Sequence, residues 1–341
     1  MKVAIGHKIQ QGPYGGGNAF VQNIARALEA TGHQVVYDLR DKDIDIIMMT
    51  DPRWRSPNIS FSAGAILRYL SRHNSDALVV HRINECDERK KTRTMNLRLR
   101  LANYCADHTV FVGSWLKDLN VYRRMPNKAC SVILNGGDVS VFNSKGYRPW
   151  PHTGPIRLVT HHWGNHWQKG FDVYAKLDAM LNRPEWRDRF SFTYIGKIPD
   201  GFRFQHAQYI EPLSGVPLAN ALRQNHVYLT ASINEPGGNH QVEGGLCGLP
   251  LIYRNSGCMP EYCDSFGVMF EGTNIVPALE NMEANYDSYC ARMDEFPHRA
   301  ERTAEQFMTL FTGMQDRRSE YLVARRERKS LFLEATNRIP I

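Results

Sequence analysis

Nothing in this 341-residue chain is long and apolar enough to cross a membrane as a helix, which takes an uninterrupted apolar run of about 18 residues or more. The apolar stretch and small-residue cleavage site of an export signal are also missing, and Met1-Lys2-Val3-Ala4-Ile5-Gly6 reads instead as a first β-strand. Cysteine is sparse: the 7 residues are odd in number and irregularly spaced. That pattern fits reduced thiols in a cytoplasm better than a disulfide framework. Cys258 and Cys263 lie close together without a second pair, which excludes a zinc site of the usual spacing. There is no G-x-G-x-x-G dinucleotide fingerprint, no RNA-recognition signature, no helix-turn-helix signal, no repeat and no low-complexity tract. Negative charge is the scarcer sign, with 35 Asp and Glu against 42 Lys and Arg, a net charge of +7. The excess favours an anionic partner. Nucleotide sugars, anionic lipids and nucleic acid all qualify, and the missing motifs place nucleic acid last.

Hydrophobic residues make up 42% of the chain, enough for about two cored domains at this length. The pattern alternates strand and helix twice. In the first half, short apolar runs near residues 2–6, 34–39, 44–50, 77–83, 109–113 and 131–134 read as strands. A glycine-rich stretch, Gly12-Pro13-Tyr14-Gly15-Gly16-Gly17-Asn18, precedes helical periodicity through Phe20, Ile24, Ala27 and Leu28. After Pro151-His152-Thr153-Gly154-Pro155 the alternation restarts, with strands near 156–160, 190–195, 207–210 and 227–232 and helices after Lys169-Gly170 and over 217–224. Such punctuation predicts α/β domains with parallel sheets, which bind ligands at the carboxyl ends of their strands. Beyond about residue 274 the pattern is helical and, from 315, strongly charged.

The most informative segment is Ser232-Ile233-Asn234-Glu235-Pro236-Gly237-Gly238-Asn239-His240-Gln241-Val242-Glu243. It places two acids, Glu235 and Glu243, with seven mostly small and polar residues between them, ahead of a short apolar strand at 249–253. Gly237 and Gly238 let backbone N–H groups approach an anion. A helix beginning near Gln241 adds its positive end. Each carboxylate can accept paired hydroxyl donors, as on a sugar or ribose.

This segment resembles the Glu-x7-Glu signature of retaining glycosyltransferases of family 4, which have the GT-B fold. The likeness continues through Cys247-Gly248-Leu249-Pro250-Leu251-Ile252 to Gly257, Pro260 and Glu261. Asn135 to Phe142 is similar to the family's interdomain Asn-Gly-Val-Asp segment. The resemblance implies two Rossmann-like domains facing each other across a cleft. It implies a nucleotide-sugar donor, UDP-linked for preference, a hydroxyl acceptor, and no metal or other cofactor. Glu243 is then expected to hold ribose hydroxyls. Glu235, with Gly237, Gly238, Asn239 and His240, is expected to hold the donor sugar. Front-face substitution is preferred to double displacement through Glu235.

Lys169 resembles the family's Lys-Gly lysine, whose ammonium neutralises the donor diphosphate. Many relatives carry an arginine five residues earlier. Here that position is Gly164, and no arginine lies between Leu158 and Gln168. Asn165 or a neighbouring histidine (His161, His162, His166) is the expected substitute. Gly15, Gly16, Gly17 and Asn18 are similar to the family's N-terminal loop near the phosphates. His81, read as ending the strand at 78–80 ahead of Arg82, Asn84, Glu85 and Asp87, is the expected catalytic-side contact for acceptor or donor hydroxyls.

Arg89, Lys90, Lys91, Arg93, Arg98 and Arg100, interleaved with Leu97, Leu99, Leu101 and Tyr104, form a basic stretch at helical spacing. It reads as a solvated helix face. The other reading is a surface for peripheral contact with anionic membrane or a lipid-linked acceptor. The expected domains are 1–150 on the acceptor side, 151–314 on the donor side, and a C-terminal helix over 315–341 that crosses back. Two alternatives stay open: a GT-B epimerase or phosphorylase, and a catalytically silent sugar-nucleotide-binding protein.

Overall fold

The structure, a computed structural model, describes residues 1–10, 16–53, 56–123, 125 and 129–337. The chain divides into two compact units. The first comprises residues 1–87, 92–133 and 301–341, and the second comprises 88–91 and 134–300.

The first unit is built on six parallel strands: β1 (Lys2–Ile5), β2 (Gln34–Val36), β3 (Ile46–Met49), β4 (Leu78–Ile83), β5 (His108–Phe111) and β6 (Cys130–Val132), in the order β2-β1-β3-β4-β5-β6. β3 is apolar throughout, and β1 after Lys2, because both faces of the sheet are covered. Val3 and Ile5 face the helix Gly16–Ala30 and the returning C-terminal helix, through Phe20, Ile24, Phe307 and Phe311. Ala4, Ile47 and Met49 face the opposite layer, with Ile66 and Tyr69 of the helix Ala63–Arg72.

The C-terminal helix Arg318–Asn337 is fastened to this sheet by a buried ion network. Arg325 donates to the carbonyls of Ser75 and Ala77, each at 2.7 Å, and pairs with both oxygens of Asp107. Arg328 reaches the same carboxylate at 3.2 Å, and the Val79 N–H donates to it at 2.8 Å. Asp107 has no exposed surface, so these donors replace its water.

The second unit repeats the plan. Its strands are β7 (Ile156–His162), β8 (Phe190–Gly196), β9 (Gln208–Ile210), β10 (Val227–Thr230), β11 (Leu251–Arg254) and β12 (Gly267–Phe270), all parallel, in the order β12-β11-β10-β7-β8-β9. The chain winds outward from β7 in one direction and then returns to build the other half from β10. The gap between β7 and β10 is therefore the point where the winding reverses, and open α/β sheets bind ligands beyond the carboxyl ends of strands at such a point.

Residues 134–150 pack with this second unit. The Tyr147 hydroxyl meets the Tyr286 hydroxyl at 2.7 Å and donates to the His226 carbonyl, and the Trp150 N–H donates to Tyr286 Oη at 3.0 Å.

Candidate functional site

The loops that leave β7 and β10 meet at the reversal point. β7 ends in His161 and His162, and its loop closes in a single helical turn at Trp167–Lys169. Gly170 follows at φ +102°, where a Cβ atom would come within 2.5 Å of Ala231 Cβ, so only glycine allows the lysine loop to lie against the β10 loop. On the other side, the Ile233 N–H donates to the Gln168 carbonyl at 2.8 Å and the Cys258 N–H donates to the Glu235 carbonyl at 2.9 Å. Gly257 sits at φ +59°, and a Cβ there would approach Glu235 N and O to 2.6 Å. Asn234 takes a left-handed conformation, φ +51°, with its N–H donated to Ser256 Oγ at 2.9 Å. Two backbone approaches and one strained residue thus aim Glu235 inward.

Glu235 is 4% exposed and Lys169 6%. The Lys169 ammonium donates to Glu235 Oε2, and Arg89 Nε lies 3.3 Å from Glu235 Oε1. Burial alone would push the carboxyl up, but Arg89 and Lys169 hold it well below the usual carboxylate range. Arg89 belongs to the segment 88–91, which counts with the second unit. That segment is anchored through the Glu88 carbonyl, which accepts from Gln168 Nε2 at 2.9 Å and Asn234 Nδ2 at 3.3 Å.

Glu243 lies one turn into the helix His240–Leu246. Its Oε2 is 2.8 Å from His161 Nε2, and His161 Nδ1 is 3.1 Å from the Tyr228 hydroxyl. These partners place the ring proton on Nε2, toward the carboxylate. His240 is fixed by Thr230 Oγ1 at 2.8 Å and His162 by the Tyr174 hydroxyl at 2.8 Å, with the two rings 4.6 Å apart. Burial first, then neighbouring cations and histidines, push both well below the ordinary histidine value. His166 falls to about 4 for the same reasons. These three rings are neutral at pH 7. Among the described residues, no group of three or more His, Cys, Asp or Glu is arranged to hold a metal ion.

Lys169, Glu235, His240 and Glu243 are therefore brought together, with Gly237 and Gly238 between the acids. The Gly237 carbonyl accepts from Asn135 Nδ2 at 2.7 Å and the Gly238 carbonyl from Gln241 Nε2 at 2.7 Å. Asn239 is half-buried at the head of the helix, while Asn165 is exposed. Asn165 is not in the cation cluster; the cation beside Lys169 is Arg89 instead. The sequence offered no local signal for Arg89, because its place is set by tertiary contacts 146 residues away.

The expected N-terminal residues belong to the first unit. Gly16, Gly17 and Asn18 occupy the first turn of the helix Gly16–Ala30 rather than a loop, and Gly15 lies outside the described residues. Both ends of the Asn18 amide bond to the Gln10 backbone at 2.9 Å, so that side chain closes its own loop.

His81 needs a correction. β4 does not end at residue 80 but runs through Arg82 to Ile83, so His81 lies inside the sheet with no exposed surface. Asn103 Nδ2 donates to its Nδ1 at 3.2 Å. Burial lowers its pKa to about 3. His81 is buried in the first unit rather than at the rim of its sheet. Arg82 continues the strand because its guanidinium stacks 3.8 Å over the Phe20 ring.

The basic stretch is also not one helix. It forms a short helix, Asp87–Lys90, and a second, Met95–Ala102. Leu99 is buried, whereas Leu97 and Leu101 are more than half exposed, next to exposed Arg93 and Arg98. Among the described residues no helix is long and apolar enough to cross a membrane.

No family model matches the sequence, and no curated protein does. Solved structures do resemble it. Sucrose-phosphate synthase from Thermosynechococcus elongatus superposes with a TM-score of 0.62 at 15% identity, over 92% of this chain and 99% of that one. HepE from Anabaena in complex with UDP gives 0.65 at 12% identity, over 92% and 99%. AviGT4, a glycosyltransferase involved in avilamycin A biosynthesis, gives 0.62 at 15%, over 91% and 97%. At these identities the likeness is one of fold. The architecture, α/β with two parallel six-stranded sheets, is that of GT-B glycosyltransferases.

Proposed function

We propose that this protein is a retaining glycosyltransferase of the family 4 kind, moving a sugar from a nucleoside-diphosphate sugar, UDP-linked for preference, to a hydroxyl acceptor. The observation that carries this reading is the buried Lys169–Glu235 pair beside Glu243, held where the winding of the second sheet reverses. The fold likeness adds support, since HepE was solved with UDP-glucose as well as UDP.

In this reading Glu243, oriented by His161, accepts the ribose hydroxyls; a carboxylate has lone pairs for several donors at once. Lys169 faces the diphosphate. Glu235 fixes that ammonium and accepts donor-sugar hydroxyls, with the backbone from Gly238 to His240 beside it. Charge on the departing diphosphate grows as its bond to the anomeric carbon breaks. A fixed ammonium in a dry site stabilises that charge without reorganising. The acceptor oxygen bonds to the anomeric carbon on the face being vacated, and its proton passes to the leaving phosphate oxygen. Lysine and backbone donors then do the work a metal does elsewhere. The setting we propose is the cytoplasm, in polysaccharide, glycolipid or glycoconjugate synthesis. The exposed Leu97 and Leu101 beside Arg93 and Arg98 fit peripheral contact with an anionic lipid surface.

The test is a metal-free binding titration of UDP, GDP, ADP, TDP and CMP against wild type and Glu243→Ala. Selective binding of one diphosphate, weakened in the variant, is the expected result. Binding of none overturns the reading. Binding of donor without transfer or hydrolysis over long incubation identifies a silent sugar-nucleotide binder instead.

A further inference from the structure

The first sheet reverses its winding as well. From β1 the chain adds β2 on one side and then β3 on the other, so the reversal lies between β1 and β3. In an open α/β sheet a ligand then belongs beyond the carboxyl ends of those two strands. A cavity of about 460 Å³ is formed there, within the size range of small-molecule sites. Its walls come from the loops that leave the two strands: Lys8 after β1, and Ser56, Ile59, Ser60, Phe61 and Ser62 after β3.

The two loops are fastened to each other. The Lys8 N–H donates to the Asn58 carbonyl at 2.8 Å, the Ser60 hydroxyl to the Ile5 carbonyl at 3.4 Å, and the Thr50 hydroxyl to the Gly6 carbonyl at 3.0 Å. A Cβ atom at Gly6 would come within 2.8 Å of the Phe61 ring, so glycine lets the second loop close over the first. Among the described residues that line the cavity, Lys8 is the one charged side chain. Ser62 Oγ accepts from the Ala65 N–H at 3.4 Å, which leaves its own O–H to donate. The Ser60 O–H is directed at Ile5, which leaves its lone pairs to accept. An ammonium with a separate hydroxyl donor suits a tetrahedral phosphate, whose oxygens take donors from several directions. A carboxylate is read best by the planar fork of an arginine, and no described residue of this lining is one. Ser60, as an acceptor, and Ile59 and Phe61, as apolar walls, match a hydroxyl-bearing carbon frame such as a sugar.

We propose that this cavity binds a phosphorylated sugar, with Lys8 and the Ser62 hydroxyl on the phosphate monoester and Ser60 accepting from a sugar hydroxyl. Its role rests on the glycosyltransferase reading, in which the bound molecule is the acceptor: the sugar is then transferred to a molecule that already carries a phosphate. The cavity itself belongs wholly to the first unit, so its occupation is measurable without any donor.

The experiment is a calorimetric titration of the full chain without metal or nucleotide. The ligands are the 6-phosphates of glucose, mannose and fructose, the three parent sugars, inorganic phosphate and glucuronate. Wild type is compared with Lys8→Ala and with Lys42→Ala, an exposed lysine of the same unit outside the cavity, and thermal melts confirm folding. Wild type should bind at least one sugar phosphate at least about tenfold more tightly than its parent sugar and than glucuronate. Lys8→Ala should lose that margin, as removal of a charge-assisted phosphate contact does, and Lys42→Ala should keep it. Wild-type affinity in Lys8→Ala overturns the assignment. Glucuronate or inorganic phosphate bound as tightly as every sugar phosphate overturns it too, since the cavity then reads charge alone. Binding of UDP, titrated separately, with no sugar phosphate bound sinks this inference and leaves the nucleotide-sugar reading standing. Binding of a sugar phosphate through Lys8 without binding of any nucleoside diphosphate upholds the cavity and overturns its role as the acceptor site.

Discussion

His81→Gln separates a core role from a catalytic one. The imidazole lies within β4 with no exposed surface, and burial lowers its pKa from 6.5 to about 3. The unfolded chain binds a proton near pH 6.5, while the folded chain refuses it until about pH 3. The stability this neutral ring contributes is thus fully present above pH 6.5 and is lost as pH falls toward 3. Linkage over that window amounts to about 5 kcal/mol, of which about 2 kcal/mol falls between pH 7 and pH 5. Glutamine keeps an acceptor for Asn103 and removes the titration. The assay is urea unfolding of both proteins at the two pH values, followed by circular dichroism. The variant should lose about 2 kcal/mol less than wild type on acidification. His108, also buried and lowered to about 4, titrates in both proteins and cancels in the comparison. Equal losses in the two proteins would refute the reasoning. The same variant should keep wild-type turnover at neutral pH; a large loss there would return His81 to the acceptor side.

Lys169→Met and Glu235→Gln should each lower glycosyl transfer on the order of 10²-fold, as losses of preorganised contacts do, and near-normal turnover in both refutes the roles assigned to them. Asp107→Ala strands Arg325 and Arg328 in the first unit and should cost about 3–5 kcal/mol in chemical denaturation. Gly257→Ala should lower both melting temperature and diphosphate affinity, because its Cβ collides with the Glu235 backbone; an unchanged melt with unchanged affinity would contradict that geometry. Leu97→Ser with Leu101→Ser should abolish co-sedimentation with phosphatidylserine vesicles at low salt, while binding of neither wild type nor variant removes the membrane surface from consideration.

Much of the second unit was legible because its signals are local. β7, β8 and β10 are short runs rich in β-branched and aromatic residues, and the two acids, the glycines between them and the lysine turn are close in sequence to the strands that carry them. What escaped depends on partners far away. β12, Gly267–Phe270, is short and opens on glycine, so its register against β11 rather than its composition makes it a strand. A strand was read near 77–83, but His81 was placed at its end because Arg82 looks like a strand end. Its stacking on Phe20 is a contact 62 residues away, and the extra residues move His81 from the rim into the core. The first turn of Gly16–Ala30 was read as loop from its glycines, although Asn18 caps the preceding stretch through Gln10. Arg89 sat unnoticed in a run of basic residues whose other members are mostly exposed.

The segment 88–91 also bears on how this protein can be dissected. A fragment cut at the obvious borders, 134–300, would contain every strand of the second sheet, both acids and Lys169. It would leave behind the four residues that the same unit borrows from the middle of the other. Such a fragment would carry Glu235 with one counter-charge instead of two, and Gln168 and Asn234 without the carbonyl they hold. Chimeras that exchange the two halves between proteins of this fold face the same problem: the guanidinium that meets Glu235 would travel with the wrong half unless residues 88–91 are exchanged along with 134–300.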